Sequence, residues 1–187
     1  MKKPSPYMQG IWDGTCCVYA FLNAIQYLRG ELDEDVGYNL LYALVDHFGD
    51  YGKIVKEGID AIPAQELFSL LSEKFPELAD GISCAPPSWL DECGLDKGKI
   101  FAKIEADLNA ADGDLIVYVG IEDYIEGGHW TLIRRVNHRL VYFFDSVGMR
   151  SRHLDNIVMT DEDIEKVTGQ LTYIKPSEIV YFNRTAI

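Results

Sequence analysis

Thr15-Cys16-Cys17-Val18-Tyr19-Ala20-Phe21-Leu22-Asn23-Ala24-Ile25-Gln26-Tyr27-Leu28 is the stretch on which the fold turns. Placed on a helix, its apolar residues cover every face, and a helix that is apolar all round sits inside a protein rather than on its surface. Asn23 and Gln26 are the polar residues of its interior. Thr15 or Asp13 is placed to cap its start, and Gly30 to stop it. A buried central helix from Cys16 to Leu28 is therefore expected, and the remaining chain must cover it.

Working outward, the first half continues as helix. Glu34 to Phe48, closed by Gly49, reads as a second helix. Pro63 to Phe75 reads as a third, with Pro63 in its first turn and Leu67, Leu70 and Leu71 as its stripe, and Lys99 to Ala111 as a fourth. The stretch from Pro76 to Gly98, with Pro86-Pro87 and several glycines, reads as a long irregular connection. The period then changes. Leu115 to Ile121 is apolar and rich in β-branched residues, a buried strand. His129–Val136 and Arg139–Ser146 read as strands joined around Asn137-His138. Thr160 to Thr168 reads as a short acidic helix, and Leu171–Ile174 and Ile179–Asn183 as closing strands. Helices first and antiparallel strands second is the α+β pattern. No shift in composition divides the chain, so a single domain over residues 1–187 is expected, helical over about 14–112 and sheet over about 113–187.

The chain has 187 residues, 48% of them apolar and 25% charged, which excludes a disordered chain. Lys and Arg number 17 against 30 Asp and Glu, a net charge of −13. That charge repels phosphate backbones and anionic lipid, so neither nucleic acid nor a membrane surface is expected as a partner. It suits a basic peptide or protein substrate, and is also what an ordinary acidic soluble protein carries. Four cysteines, Cys16, Cys17, Cys84 and Cys93, are too few for a disulfide scaffold, and no CxxC pair marks a zinc site. No metal or cofactor is implied. The basic start Met1-Lys2-Lys3-Pro4-Ser5-Pro6 runs into no apolar segment, and no apolar run approaches the ~18 residues that span a bilayer. A cytoplasmic protein with free thiols is expected.

Three places carry chemistry. Gln9-Gly10-Ile11-Trp12-Asp13-Gly14-Thr15-Cys16-Cys17 leads into the buried helix, Gly127-Gly128-His129-Trp130 opens a strand, and Asp145-Ser146 closes the next one. A thiol at a helix start meets unpartnered backbone N–H groups and the positive end of the helix dipole, both of which favour thiolate. A histidine beside it forms the thiolate–imidazolium pair and protonates a leaving amine, and a carboxylate orients the ring. Gln9 is placed to offer its amide to an oxyanion. His47, His138 and His153 lack such partners and read as surface or turn residues. Glu122, Asp123 and Glu126 form an acidic loop ahead of His129, either a solvated loop or a lip for a basic peptide.

Register tests the pairing of His129 with Asp145. A three-residue loop, Val136-Asn137-His138, sets His129 directly opposite Asp145, with Trp130 facing Phe144, Leu132 facing Tyr142 and Ile133 facing Val141. A two-residue Asn-His turn sends Asp145 to the other face. The mostly apolar matches of the first register favour it. The expected contact is between His129 Nδ1 and the Asp145 carboxylate.

Cys16-Cys17-Val18-Tyr19-Ala20-Phe21-Leu22-Asn23-Ala24 resembles the nucleophile helix of the papain-like cysteine peptidases. Gly128-His129-Trp130-Thr131-Leu132 and Tyr142-Phe143-Phe144-Asp145-Ser146 resemble their His and Asp/Asn strands. The flavours most similar are the bacterial peptidases that cut leader peptides after double glycine and the ubiquitin-like-protein proteases. The resemblance covers residues 9–26 and 113–148. It implies a papain-like fold, a buried nucleophile helix packed on an antiparallel sheet, and hydrolysis of a peptide or isopeptide bond through a thioester. Cys16 would be the nucleophile, His129 the base and acid, Asp145 the orienting group and Gln9 the oxyanion donor. Acyl transfer to an amine at the same site, or peptide binding without cleavage, are the alternatives. Two features depart from the pattern: Cys17 stands where glycine is usual, and Gln9 lies seven rather than six residues before Cys16. Alignment of Leu22-Asn23 with the Josephin type of deubiquitinase would make Cys17 the nucleophile. Asp13-Gly14-Thr15-Cys16 is similar to the ovarian-tumour deubiquitinases, whose backbone forms the oxyanion hole.

Overall fold

The computed structural model describes residues 4–9, 15–49, 64–94, 96–123, 127–162 and 171–185. Helix α1, Cys16–Arg29, is buried from Cys17 to Leu28 apart from Tyr19, as its all-round apolar character requires. Gly30, at a φ of 96°, ends it, and its N–H closes on the Gln26 carbonyl. Thr15 occupies the cap position without a side-chain capping bond, and Asp13 lies outside the described residues. Helix α2, Glu34–His47, starts where the Asp33 carboxylate accepts the Asp35 N–H at 3.0 Å. Helix α3, Ala64–Lys74, buries Leu67, Leu70 and Leu71, the expected stripe.

The connection expected to be irregular is not. It holds helix α4 (Pro76–Ala79), strand β1 (Ile82–Ala85) and helix α5 (Leu90–Cys93) before helix α6 (Lys97–Ala110). Elements of four residues carry no readable period, and tertiary pairing makes them. Strands β2 (Leu115–Asp123), β3 (Gly127–Val136), β4 (Leu140–Phe143), β5 (Ser151–His153), β6 (Ile157–Met159), β7 (Thr172–Ile174) and β8 (Val180–Arg184) follow. The sheet runs β1-β8-β2-β3-β4-β5, and β7 pairs with β2 alongside. All these pairs are antiparallel, while β6 joins β7 in parallel. The sheet thus borrows β1 from the half expected to be helical, and β5 and β6 escaped the sequence reading. The acidic helix expected over 160–168 falls mostly outside the described residues.

Alternation along the strands places the sheet between two apolar layers. Ile116, Tyr118, Leu132, Phe144 and Phe182 share a core with α1, α2 and α3. Val117, Val119, Ile133, Val141 and Ile179 share another with α6. Both faces of β2 are therefore buried, which explains its unbroken apolar run.

The β3–β4 hairpin corrects the expected register. Its tip is tighter than a three-residue loop: Val136 faces Val141, and the Asn137 N–H bonds the Leu140 carbonyl across His138-Arg139. Continued unbroken, that register would set Asp145 opposite Leu132, on the face away from His129. A bulge between Ile133 and Arg135 shifts it by one, so Ile133 faces Phe143 and the Phe144 N–H reaches the Leu132 carbonyl. Asp145 then follows opposite Thr131, on the side of β3 that also carries His129. The shared face is the expected one. The direct opposition of His129 and Asp145 is not.

Candidate active site

Cys16 opens α1, bracketed by first-turn N–H groups that no intrahelical carbonyl reaches. That turn is held from below: the Tyr118 hydroxyl, fully buried on β2, donates to the Cys17 carbonyl at 3.2 Å. Burial raises the Tyr118 pKa well above its ordinary value, so the phenol stays a donor. Trp130 stacks on the Tyr118 ring at 4.9 Å, tying β3 to the same support. Tyr118 did not stand out in the sequence, where it is one apolar residue within a strand.

His129 and Asp145 meet across the hairpin. The His129 Nε2 donates to Asp145 Oδ1 at 2.6 Å, with the two side chains 4% and 0% exposed. The expected nitrogen was Nδ1; the diagonal placement of the pair presents Nε2 instead. The other carboxylate oxygen accepts the Val147 N–H at 3.0 Å and the Met149 N–H at 2.9 Å. Three donors therefore fix the carboxylate in place. The Cys16 thiol lies beside the same ring, near enough to contribute to the raised His129 pKa. With Nε2 committed to Asp145, Nδ1 is the ring nitrogen left for the sulfur.

The electrostatics follow from this chain of bonds. Burial alone would lower the His129 pKa. The hydrogen bonds with Asp145 and Cys16, and the charges of both, overcome it and raise the value to about 9. Burial pushes the Asp145 carboxyl up, but the His129 bond and charge outweigh it, and the net value is lowered. The pair is therefore an imidazolium–carboxylate at neutral pH.

Cys17 points elsewhere. It is fully buried, and burial together with the neighbouring Cys16 pushes its thiol up to about 12. The structure brings Cys16, not Cys17, to the histidine. Cys84 is likewise pushed up to about 12 by burial, and Cys93 is buried. His47, His138 and His153 are exposed, as expected of surface and turn residues.

Gln9 reaches the site by another route. Residues 5–7 lie along α1, where Asn23 accepts the Tyr7 N–H at 2.7 Å and donates to the Tyr7 carbonyl at 3.1 Å. Gln26 donates to the Ser5 carbonyl at 2.7 Å. The two polar residues of the buried helix thus dock the N-terminal segment, as a buried amide demands a partner. The segment continues to Gln9, whose N–H bonds the Ser146 carbonyl at 3.0 Å and whose Oε1 accepts the Ser146 hydroxyl at 3.4 Å. Gln9 is therefore anchored on the residue next to Asp145. Residues 10–14 lie outside the described residues, as does Glu126 of the acidic loop.

Among the described residues, no group of His, Cys, Asp and Glu has the makeup of a metal site, and no helix is long and apolar enough to cross a membrane. Comparison of the chain with protein-family models, curated proteins and solved structures finds no match.

Proposed function

We propose that the protein is a papain-like thiol hydrolase that cleaves a peptide or isopeptide bond through a thioester acyl-enzyme. The observation that carries this reading is the meeting of Cys16, at a helix N-terminus, with buried His129, which is itself hydrogen-bonded to buried Asp145. In the first step the Cys16 thiolate attacks the substrate carbonyl carbon, and the carbonyl oxygen becomes an oxyanion. Gln9 and the N–H groups at the start of α1 would donate to it. The C–N bond then breaks, His129 gives its Nδ1 proton to the leaving amine, and a thioester remains on Cys16. Water attacks the thioester as His129 takes its proton, releasing the acid and restoring the Cys16 thiolate beside the protonated imidazole. Asp145 holds the ring and stabilises its charged form throughout.

The test is to trap the protein with a peptide bearing a thiol-reactive electrophile and to screen a peptide library for cleavage. A mass increase on Cys16 and cleavage that Cys16→Ala abolishes support the reading. Trapping without turnover points to a binding module. Products carrying an added amine in place of water point to acyl transfer.

A further inference from the structure

Beside the first turn of α1 lies a cavity of about 370 Å³. Thr15, the residue before Cys16, and Tyr19, one turn into the helix, form its α1 wall, and α2 contributes Tyr38, Leu41, Tyr42 and Asp46. Its size is within the range of small-ligand pockets. Tyr38, Tyr42 and Asp46 succeed one another at four-residue intervals, a single column along α2. Tyr38 and Tyr42 are 70% and 65% exposed, the two most exposed large apolar side chains among the described residues. Among the described residues, no cation pairs with the Asp46 carboxylate. A cavity beside the first turn of α1 thus has uncovered aromatic rings and a carboxylate without a counter-ion among the described residues.

We propose that this cavity is a subsite for a lysine or arginine side chain of the substrate, close to the bond attacked by Cys16. The proposal rests on the thiol-hydrolase reading and names its substrate class. A basic side chain can use every part of the lining. Its alkyl stem packs on Leu41 and the ring edges, its cation lies over the tyrosine faces, and its N–H groups donate to Asp46. An aliphatic side chain leaves the carboxylate unused, and an acidic one faces it directly. The net charge of −13 adds attraction for basic peptides from a distance.

The experiment measures the rate of Cys16 modification by a series of peptidyl acyloxymethyl ketones, read by mass spectrometry. Arg, Lys, Leu, Phe and Glu are placed in turn at each of the three positions nearest the electrophile. At one position Arg and Lys are expected to react about tenfold faster than Leu, the size of a cation–π contact and an exposed ion pair combined. Asp46→Asn and Tyr42→Ala should each shrink that ratio. Equal rates for Arg, Leu and Glu, or a preference for Phe, overturn the subsite and leave the hydrolase reading standing. A basic advantage that is the same at all three positions and vanishes with salt is long-range steering, and also overturns the subsite. If no peptide modifies Cys16 while iodoacetamide still does, both readings fall.

Discussion

Replacing Asp145 with asparagine keeps the shape of the side chain and removes its charge. The Val147 and Met149 N–H groups hold one oxygen, so the new amide nitrogen is turned toward His129 Nε2. The ring must then present a lone pair at Nε2 and carry its proton on Nδ1, the side of Cys16. In that tautomer it cannot take a proton from the thiol. The cost in stability follows from the His129 pKa of about 9, against an ordinary value of about 6.5. A raised histidine stabilises the fold fully below its unfolded pKa and loses that contribution as pH rises through the folded value. At pH 7 it amounts to about 2–3 kcal/mol, taking ~1.4 kcal/mol for each pKa unit. The lowered Asp145 pKa is the same interaction seen from the carboxylate, lost instead on acidification, and is not added. Asp145→Asn should therefore lower Tm at pH 7 by roughly 5–10 °C, by an amount that shrinks above pH 9. The His129 imidazole, followed by NMR, should titrate near or below 6.5. A His129 that still titrates near 9, or a Tm difference as large at pH 10 as at pH 7, would refute the electrostatic account.

Asn23→Ala removes both bonds to the Tyr7 backbone and should destabilise by about 2 kcal/mol. An unchanged Tm with lost turnover would move Asn23 into the active site. Iodoacetamide at neutral pH should modify Cys16 first, since Cys17 and Cys84 have thiols pushed to about 12 and Cys93 is buried. Faster labelling of any of these three, mapped by peptide mass, would contradict the nucleophile assignment. Gly37→Ala puts a Cβ 2.6 Å from the Tyr7 hydroxyl, so the Tyr7 ring must move, which should loosen the docked segment. The Tyr7 amide should then exchange with deuterium faster, and an unchanged rate would show that the contact does not hold the segment.

Helix α1 was legible because its composition leaves it no exposed face, and Cys16 was legible because the helix has to begin there. The pairing of His129 and Asp145 on one face was anticipated from a register that the hairpin does not use. The tight tip shifts the pairing by three and the bulge takes back one, and together they restore the parity. A bulge has no clear signal in Ile133-Arg134-Arg135-Val136 beyond two charged residues where alternation asks for one. The docking of residues 5–7 had no periodic pattern at all; its trace in the sequence was the presence of Asn23 and Gln26, which had to be paired with something. Their partner proved to be the N-terminal segment. Strands β1, β5 and β6 are three or four residues long, and their pairing is decided by neighbours distant in the chain.

The bulge at Arg134 makes the hairpin a counting device. His129 and Asp145 share a face because the strands between them differ by one residue, a surplus carried on β3. Pairing Arg134 into the ladder, with no residue lost, would place Asp145 opposite Leu132 and turn the carboxylate away from the imidazole, however well the sheet still paired. Exposed positions such as Arg134, Arg135, His138 and Arg139 are free to change in kind. Homologous chains that keep the site should accordingly vary in composition along this segment, and one that lacks the bulge should also be one residue shorter on β3.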